Sequence, residues 1–352
     1  MRSLGLLALV GAWGVSLPAM AQTTAQAACQ SPPPARCASA DCSSQVLGNP
    51  GTAVDPKTGR RFFLDYPCDL KPGEKVTFIL NLHGGGSIGN WQRHYFPAVD
   101  YVQKHRLVVA TPTAATATPA RRWVGEADDA HLQNISEMVF QKFGPTNVRA
   151  FWLAGHSQGG MTSRRIICSD YFGPRVDGFL SLSGGRIGGQ ATRAPDAGRP
   201  AQRTAATQAA PTPAPAATTP TAPVAPAQPA PACDFSHIFA IGEHEIASLP
   251  PNSDWAMKYG CMGPQRRYEV ADRKMGQVYD SGHQNPGSRS WGLLPRAGKA
   301  QVVAYQGCRD GRVVADVVRL DKGHTEGLEP EVTEALVKMI VAAPGGKAQT
   351  GG

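Results

Sequence analysis

The sequence predicts an α/β fold, a mostly parallel sheet flanked by helices, with a disordered Pro/Ala/Thr-rich insertion. Three observations predict it. Short apolar runs alternate with amphipathic stretches at helical spacing, the mark of strands joined by crossover helices. At about residues 191–232 the composition turns to Ala, Pro, Thr and Gln, as in AAPTPAPAATTPTAPVAPAQPAPA. The chain beyond that segment is too thin to form a core of its own, so it completes the sheet begun before it.

Residues 1–21 read as an export signal. Arg2 supplies the positive start, LGLLALVGAWGVSL the short apolar centre and Ala19-Met20-Ala21 the small-x-small processing site. The run is too short for a spanning helix, and Gln26 stands where a lipid-attachment motif before Cys29 wants an aliphatic residue. No other run suits the bilayer, so no stable membrane insertion is expected and the protein is secreted or periplasmic. All eight cysteines follow the signal. In an oxidising compartment they imply disulfides whose pairing the sequence does not give. Cys37 and Cys42 lack the second close pair that a zinc site needs. The net charge of +8 is dispersed: Arg121-Arg122, Arg164-Arg165 and Arg266-Arg267 are separate pairs with no interleaved aromatics. They read as solvated surface, which argues against nucleic-acid binding.

In chain order, strands are expected at Arg61 to Asp65 (RFFLD), Val76 to Leu82 (VTFILNL) and Leu107 to Thr111 (LVVAT). Two more follow at Ala150 to Ala154 and Val176 to Leu182. Helices are expected at Phe96 to His105, at Leu132 to Phe143 before the stop residue Gly144, and at Gln158 to Tyr171. The insertion has no large apolar residue beyond one valine, so it cannot offset its ordering entropy, and its prolines make it an extended linker. Strands at His237 to Ile241 and Val313 to Leu320 and a helix at Pro330 to Val341 follow. Residues 22–352 therefore read as a single, monomeric domain interrupted by the linker.

The chemistry sits at strand ends. Gly155-His156-Ser157-Gln158-Gly159 follows a strand and opens a helix, the setting of a nucleophile elbow, with Ser157 as nucleophile and the Gln158 N–H as an oxyanion donor. His83-Gly84-Gly85-Gly86 follows an earlier strand and lets backbone approach a ligand; Gly85 is the second donor, with Gly86 as the alternative. In this architecture the base comes last. His324 follows the final strand; His283 is the rival, and His156 faces the packed side of the turn. The acid follows the penultimate strand in Gly242-Glu243-His244-Glu245. Glu245 is preferred, Glu243 and Asp254 remain open, and Asp321 reads as a loop residue. Trp91 and Trp123 either wall a substrate subsite or belong to the core. This chemistry requires no cofactor and no metal.

The order YPCDLKPGEKVTFILNLHGGG, GHSQGG, HIFAIGEHE, DWAMKYGC, YQGC and DKGHT resembles the secreted α/β-hydrolase esterases. It is most similar to their polyhydroxybutyrate-depolymerase-like and feruloyl/acetylxylan-esterase-like group. The resemblance implies an α/β-hydrolase fold and hydrolysis of carboxylic esters, small, oligomeric or polymer-derived, through an acyl-enzyme. It also implies a Cys261–Cys308 disulfide. The group places an aspartate where Glu245 stands here. A serine peptidase or amidase on the same fold and a non-catalytic polymer-binding protein are the competing functions.

Overall fold

The computed structural model describes residues 51–115, 121–187, 189, 192–194, 231–276, 291–292 and 296–350. The expected export signal, Cys29, Cys37, Cys42, most of the 191–232 segment and His283 lie outside the described residues.

The long apolar runs become the centre of a ten-stranded sheet. Its strands are β1 (Ala53–Val54), β2 (Arg61–Asp65), β3 (Val76–Leu82), β4 (Leu107–Pro112), β5 (Val148–His156) and β6 (Gly178–Leu182), then β8 (Ser236–Gly242), β10 (Gly263–Ala271), β11 (Lys299–Gln306) and β12 (Val314–Leu320). β7 (Thr192–Arg193) and β9 (Ile246–Ser248) form a separate antiparallel pair. The order across the large sheet is β1-β2-β4-β3-β5-β6-β8-β12-β11-β10. The six strands from β4 to β12 run parallel, and antiparallel strands close both sides. With helices on both faces, this is the α/β-hydrolase fold. β6 and β8, on either side of residues 191–232, are direct parallel neighbours.

Alternation along the central strands divides the core in two. Phe78, Leu80, Phe151 and Leu153 face one layer, where Leu132, Ile135 and Val139 of helix α3 (Gly125–Phe143) and Ile166 of α4 (Gln158–Ile166) cover them. Phe78 stacks on Phe151 with ring centroids 4.5 Å apart. Ile79, Trp152, Ala154 and Ala240 face the other layer, against α1 (Gly89–Tyr95), α2 (Val102–His105) and Leu336 and Ile340 of α6 (Pro330–Ala342). A short helix, α5 (Asp254–Lys258), lies between β9 and β10.

Three departures from the sequence reading have local causes. The helix expected at Phe96 to His105 begins only after Pro97 and is split at Tyr101, whose φ of −114° is not helical, into a 3₁₀ turn (Ala98–Tyr101) and the short α2. α3 begins seven residues before the expected Leu132, at Gly125. Its first turns bury the polar Asp128 and His131 in place of apolar groups, with Asp128 accepting from the backbone N–H groups of Val124 and Ala115. β10 and β11 were not expected; β10 is an edge strand whose residues alternate between exposed and half-buried, so it carries little apolar signal. The Cys261–Cys308 disulfide is present, and a second joins Cys168 to Cys233.

Candidate active site

β4 lies on one side of β3 and β5 on the other, so the order of the parallel strands reverses between β3 and β5. Loops leaving the carboxyl ends of such a pair splay apart and open a crevice. β3 delivers His83–Gly86 to it and β5 delivers Ser157.

Ser157 joins β5 to α4 with φ 50° and ψ −116°, a conformation that costs a residue with a side chain about 1–3 kcal/mol. Its surroundings hold it there. The Ser157 N–H donates to the Leu182 carbonyl at 2.8 Å. A Cβ on Gly155 would stand 2.3 Å from the Gly159 carbonyl carbon, and one on Gly159 would stand 2.3 Å from the Leu82 oxygen. Both glycines are thus required by close approach of β5, α4 and the end of β3, with Ser157 at the apex.

In the His83–Gly86 loop, the Gly86 N–H donates to the Arg121 carbonyl at 2.7 Å and the Ser87 N–H to the Gly84 carbonyl at 3.1 Å. The alternative donor Gly86 is therefore engaged elsewhere. Among the described residues, the N–H groups of Gly85 and of Gln158, at the start of α4, have no acceptor. His83 anchors this loop: one ring nitrogen accepts from the Ala114 N–H at 3.0 Å and the other donates to the Gly84 carbonyl at 2.7 Å. Its complete burial pushes its pKa down to about 4, which keeps the ring neutral.

β8 and β12 are parallel neighbours with Gly242 opposite Arg319, so the loops after them meet. His324 Nδ1 lies 2.6 Å from Glu245 Oε2. A carboxylate can only accept, so Nδ1 carries the proton and Nε2 presents a lone pair. The other Glu245 oxygen accepts from the Gly242 N–H at 2.9 Å and from Ser183 Oγ at 2.7 Å. The rival carboxylates are placed differently. Glu243 accepts from the Asp321 N–H at 2.7 Å, Asp254 is exposed at the start of α5, and Asp321 pairs with Arg296 and His244 on the surface.

His156 is buried, with its ring 3.8 Å from that of Tyr95 and Nε2 donating to the His324 carbonyl at 2.8 Å. Burial, and next the neighbouring His324, hold its pKa well below the ordinary range. It supports the His324 backbone. Burial likewise raises the Tyr95 phenol, which bonds to Ser183.

Ser157, Gln158, Gly85 and His324 line one cavity of about 370 Å³, whose apolar walls are Trp91, Trp291 and Met161. Trp123 is not among its walls. It is buried in the core, Nε1 donates to the His83 carbonyl at 2.8 Å, and its ring lies against His83. Sequence reasoning missed Ser183, Trp291 and Met161. Ser183 alone had a signal, since it directly follows β6 at the same sheet edge as the other site residues. A serine on a strained turn, two N–H groups without acceptors on residues that line the same cavity and an imidazole hydrogen-bonded to a carboxylate form an arrangement suited to acyl transfer.

No family model and no curated protein matches the chain. Among solved structures, it is similar to an acetyl xylan esterase from Aspergillus awamori at 10% identity, over 80% of this chain and 94% of that one, with a TM-score of 0.43. It is also similar to FphF, a fluorophosphonate-binding serine hydrolase of Staphylococcus aureus, at 20% identity over 36% of this chain, with a TM-score of 0.29. The esterase Est2 of Thermogutta terrifontis matches at 18% identity over 38% of this chain, also with a TM-score of 0.29. The chain spans about half the length of FphF and Est2, 53% in each case.

Proposed function

We propose that this protein is an exported serine hydrolase of carboxylic esters. The observation that carries the reading is the 2.6 Å contact between His324 and Glu245 on the wall of the cavity that Ser157 also lines. Ser157 Oγ attacks the ester carbonyl while its proton passes to His324 Nε2, the nitrogen opposite the one Glu245 holds. The carbonyl oxygen, now negative, accepts from the Gly85 and Gln158 N–H groups. His324 then gives its proton to the departing alkoxide, which leaves as the alcohol. Water repeats the sequence on the acyl-enzyme and releases the acid and free Ser157. The disulfides among the described residues support an oxidising compartment. Trp91, with Trp291 and Met161, supplies an apolar wall for the acyl or alcohol group, in keeping with small or oligomeric soluble esters of the feruloyl, acetyl or hydroxyalkanoate kind.

A fluorophosphonate probe should label the wild-type protein at Ser157, and Ser157→Ala should abolish both labelling and ester cleavage. Labelling that survives in Ser157→Ala overturns the nucleophile assignment. An acyl-length series of p-nitrophenyl esters, run beside methyl ferulate and hydroxybutyrate oligomers, identifies the ester class.

A further inference from the structure

We propose that Arg122 makes the cavity selective for esters that carry a carboxylate on the acyl or the alcohol side. The inference rests on the esterase reading above and names its substrate class.

The backbone on both sides of Arg122 is stitched to the loops that carry the Gly85 and Gln158 N–H groups. Before it, the Arg121 carbonyl accepts from the Gly86 N–H at 2.7 Å, and the Arg121 guanidinium turns away to the Ala114 carbonyl at 2.8 Å. After it, the Trp123 N–H donates to Gln158 Oε1 at 3.3 Å and Trp123 Nε1 to the His83 carbonyl at 2.8 Å. Arg122 is therefore held beside these loops, and it is one of the residues that line the cavity. The sequence reading of Arg121-Arg122 as one solvated pair splits here into a structural Arg121 and a cavity-lining Arg122.

Among the described residues, the charge at this position is unanswered. A guanidinium stays protonated at any working pH. Arg122 is exposed to solvent and has no hydrogen bond or ion pair among the described residues. By contrast Arg93, Arg186 and Arg319 each hold a carboxylate: Asp65, Asp316 and Glu329. No aspartate or glutamate is among the described residues that line the cavity, so among them an incoming anion meets a cation and N–H donors with no carboxylate in the lining. A substrate carboxylate matches the planar fork of a guanidinium with two parallel hydrogen bonds. The net charge of +8 draws anionic esters toward the protein in the same sense.

The test compares kcat/KM for esters matched in size and differing in charge. Acetoxybenzoate against acetoxybenzamide places the carboxylate on the alcohol side. Monomethyl adipate against its monoamide places it on the acyl side. The wild-type protein should prefer the anionic member of at least one pair by about fivefold, the scale of one solvent-accessible ion pair. The preference should shrink as salt rises. It should vanish in Arg122→Gln, invert in Arg122→Glu and partly return in Arg122→Lys, each variant first checked for an unchanged melting transition. The salt series on the wild-type protein needs no variant. Cleavage of neutral esters with no anionic preference in either pair, or a preference untouched by Arg122→Gln, overturns the Arg122 assignment alone. Failure of the wild-type protein to cleave any ester overturns the esterase reading and this inference with it.

Discussion

Ser183 Oγ donates to one oxygen of Glu245 at 2.7 Å, while His324 Nδ1 holds the other at 2.6 Å. The carboxylate is thus pinned between the strand end of β6 and the loop after β12, and the direction in which it presents its second oxygen is fixed. Ser183 itself sits at φ 53°, and its N–H is tied to the Ala240 carbonyl at 2.8 Å, so its hydroxyl has little freedom to swing away.

From this clamp follow two graded losses. Glu245→Gln offers an N–H or a weakly accepting oxygen where His324 needs a carboxylate. It should lower kcat by about 10³–10⁴-fold, the scale found when the acid of such a triad becomes an amide. Ser183→Ala removes one of two donors to the far oxygen and leaves the His324–Glu245 hydrogen bond in place, so kcat should fall about tenfold, one lost hydrogen bond to a charged group. Ser183 touches no cavity-lining group used for substrate, so KM should stay within about twofold for both variants. An effect of Ser183→Ala on KM alone would make the residue a substrate contact and not a positioning residue.

The pH dependence of stability follows from buried imidazoles. His83 and His237 are built alike: Nε2 accepts a backbone N–H, from Ala114 and Ile187 respectively, and Nδ1 faces a backbone carbonyl. Burial pushes His83 down to about 4 and His237 to about 3. A folded-state pKa below the unfolded one means the unfolded chain binds more protons. The stability they contribute is therefore whole above about pH 6.5 and drains away as pH falls toward those folded values. Between pH 7 and pH 5 each should cost about 2 kcal/mol. Asp272, pushed up by burial, works in the opposite sense and offsets part of this loss. Carboxylates held low, such as Glu334 at about 2 beside Lys104, matter only below about pH 4.5. Urea titrations should therefore show a net loss from pH 7 to pH 5. His237→Gln, which keeps an acceptor for Ile187, should flatten that slope by about 2 kcal/mol. An unchanged slope in the variant would reject the account.

Much of the site was legible because each of its parts stands where an apolar run stops. Ser157, Gly85, His324 and Glu245 all lie just beyond the carboxyl end of a central strand. The order of those strands along the chain is enough to bring the four loops to one edge. Legibility ended where side-chain direction decides. Glu243 and Glu245 are two residues apart, and only the short 3₁₀ turn between β8 and β9 sends one to the Asp321 N–H and the other to His324. Trp123 and Arg122 are adjacent in an irregular segment with no periodicity to orient them, and one enters the core while the other lines the cavity. Ser183 stands at a strand end like the others, but its role was hidden because its acceptor is 62 residues away.

The Cys168–Cys233 bridge and the segment it brackets give the last prediction. The bridge joins residues 65 apart and ties the chain just after α4 to the start of β8. In the chain-entropy picture a loop of that length contributes about 4 kcal/mol, so Cys168→Ala with Cys233→Ala should lower stability by up to that amount. The flanks of the Pro/Ala/Thr-rich segment are also held from within the sheet region. The Ala194 N–H donates to the Glu245 carbonyl at 3.0 Å, and β7 pairs with β9, so the first residues of the segment are anchored beside the acid. Replacing residues 195–230 by a short Gly-Ser linker should then leave the melting temperature within a few degrees and ester cleavage within about twofold. The composition gives the removed residues no large apolar side chain to bury beyond Val224. Loss of folding with both cysteines still in place would show that the segment packs on the sheet after all. Loss of cleavage with intact folding would show that it reaches the Glu245 side of the cavity.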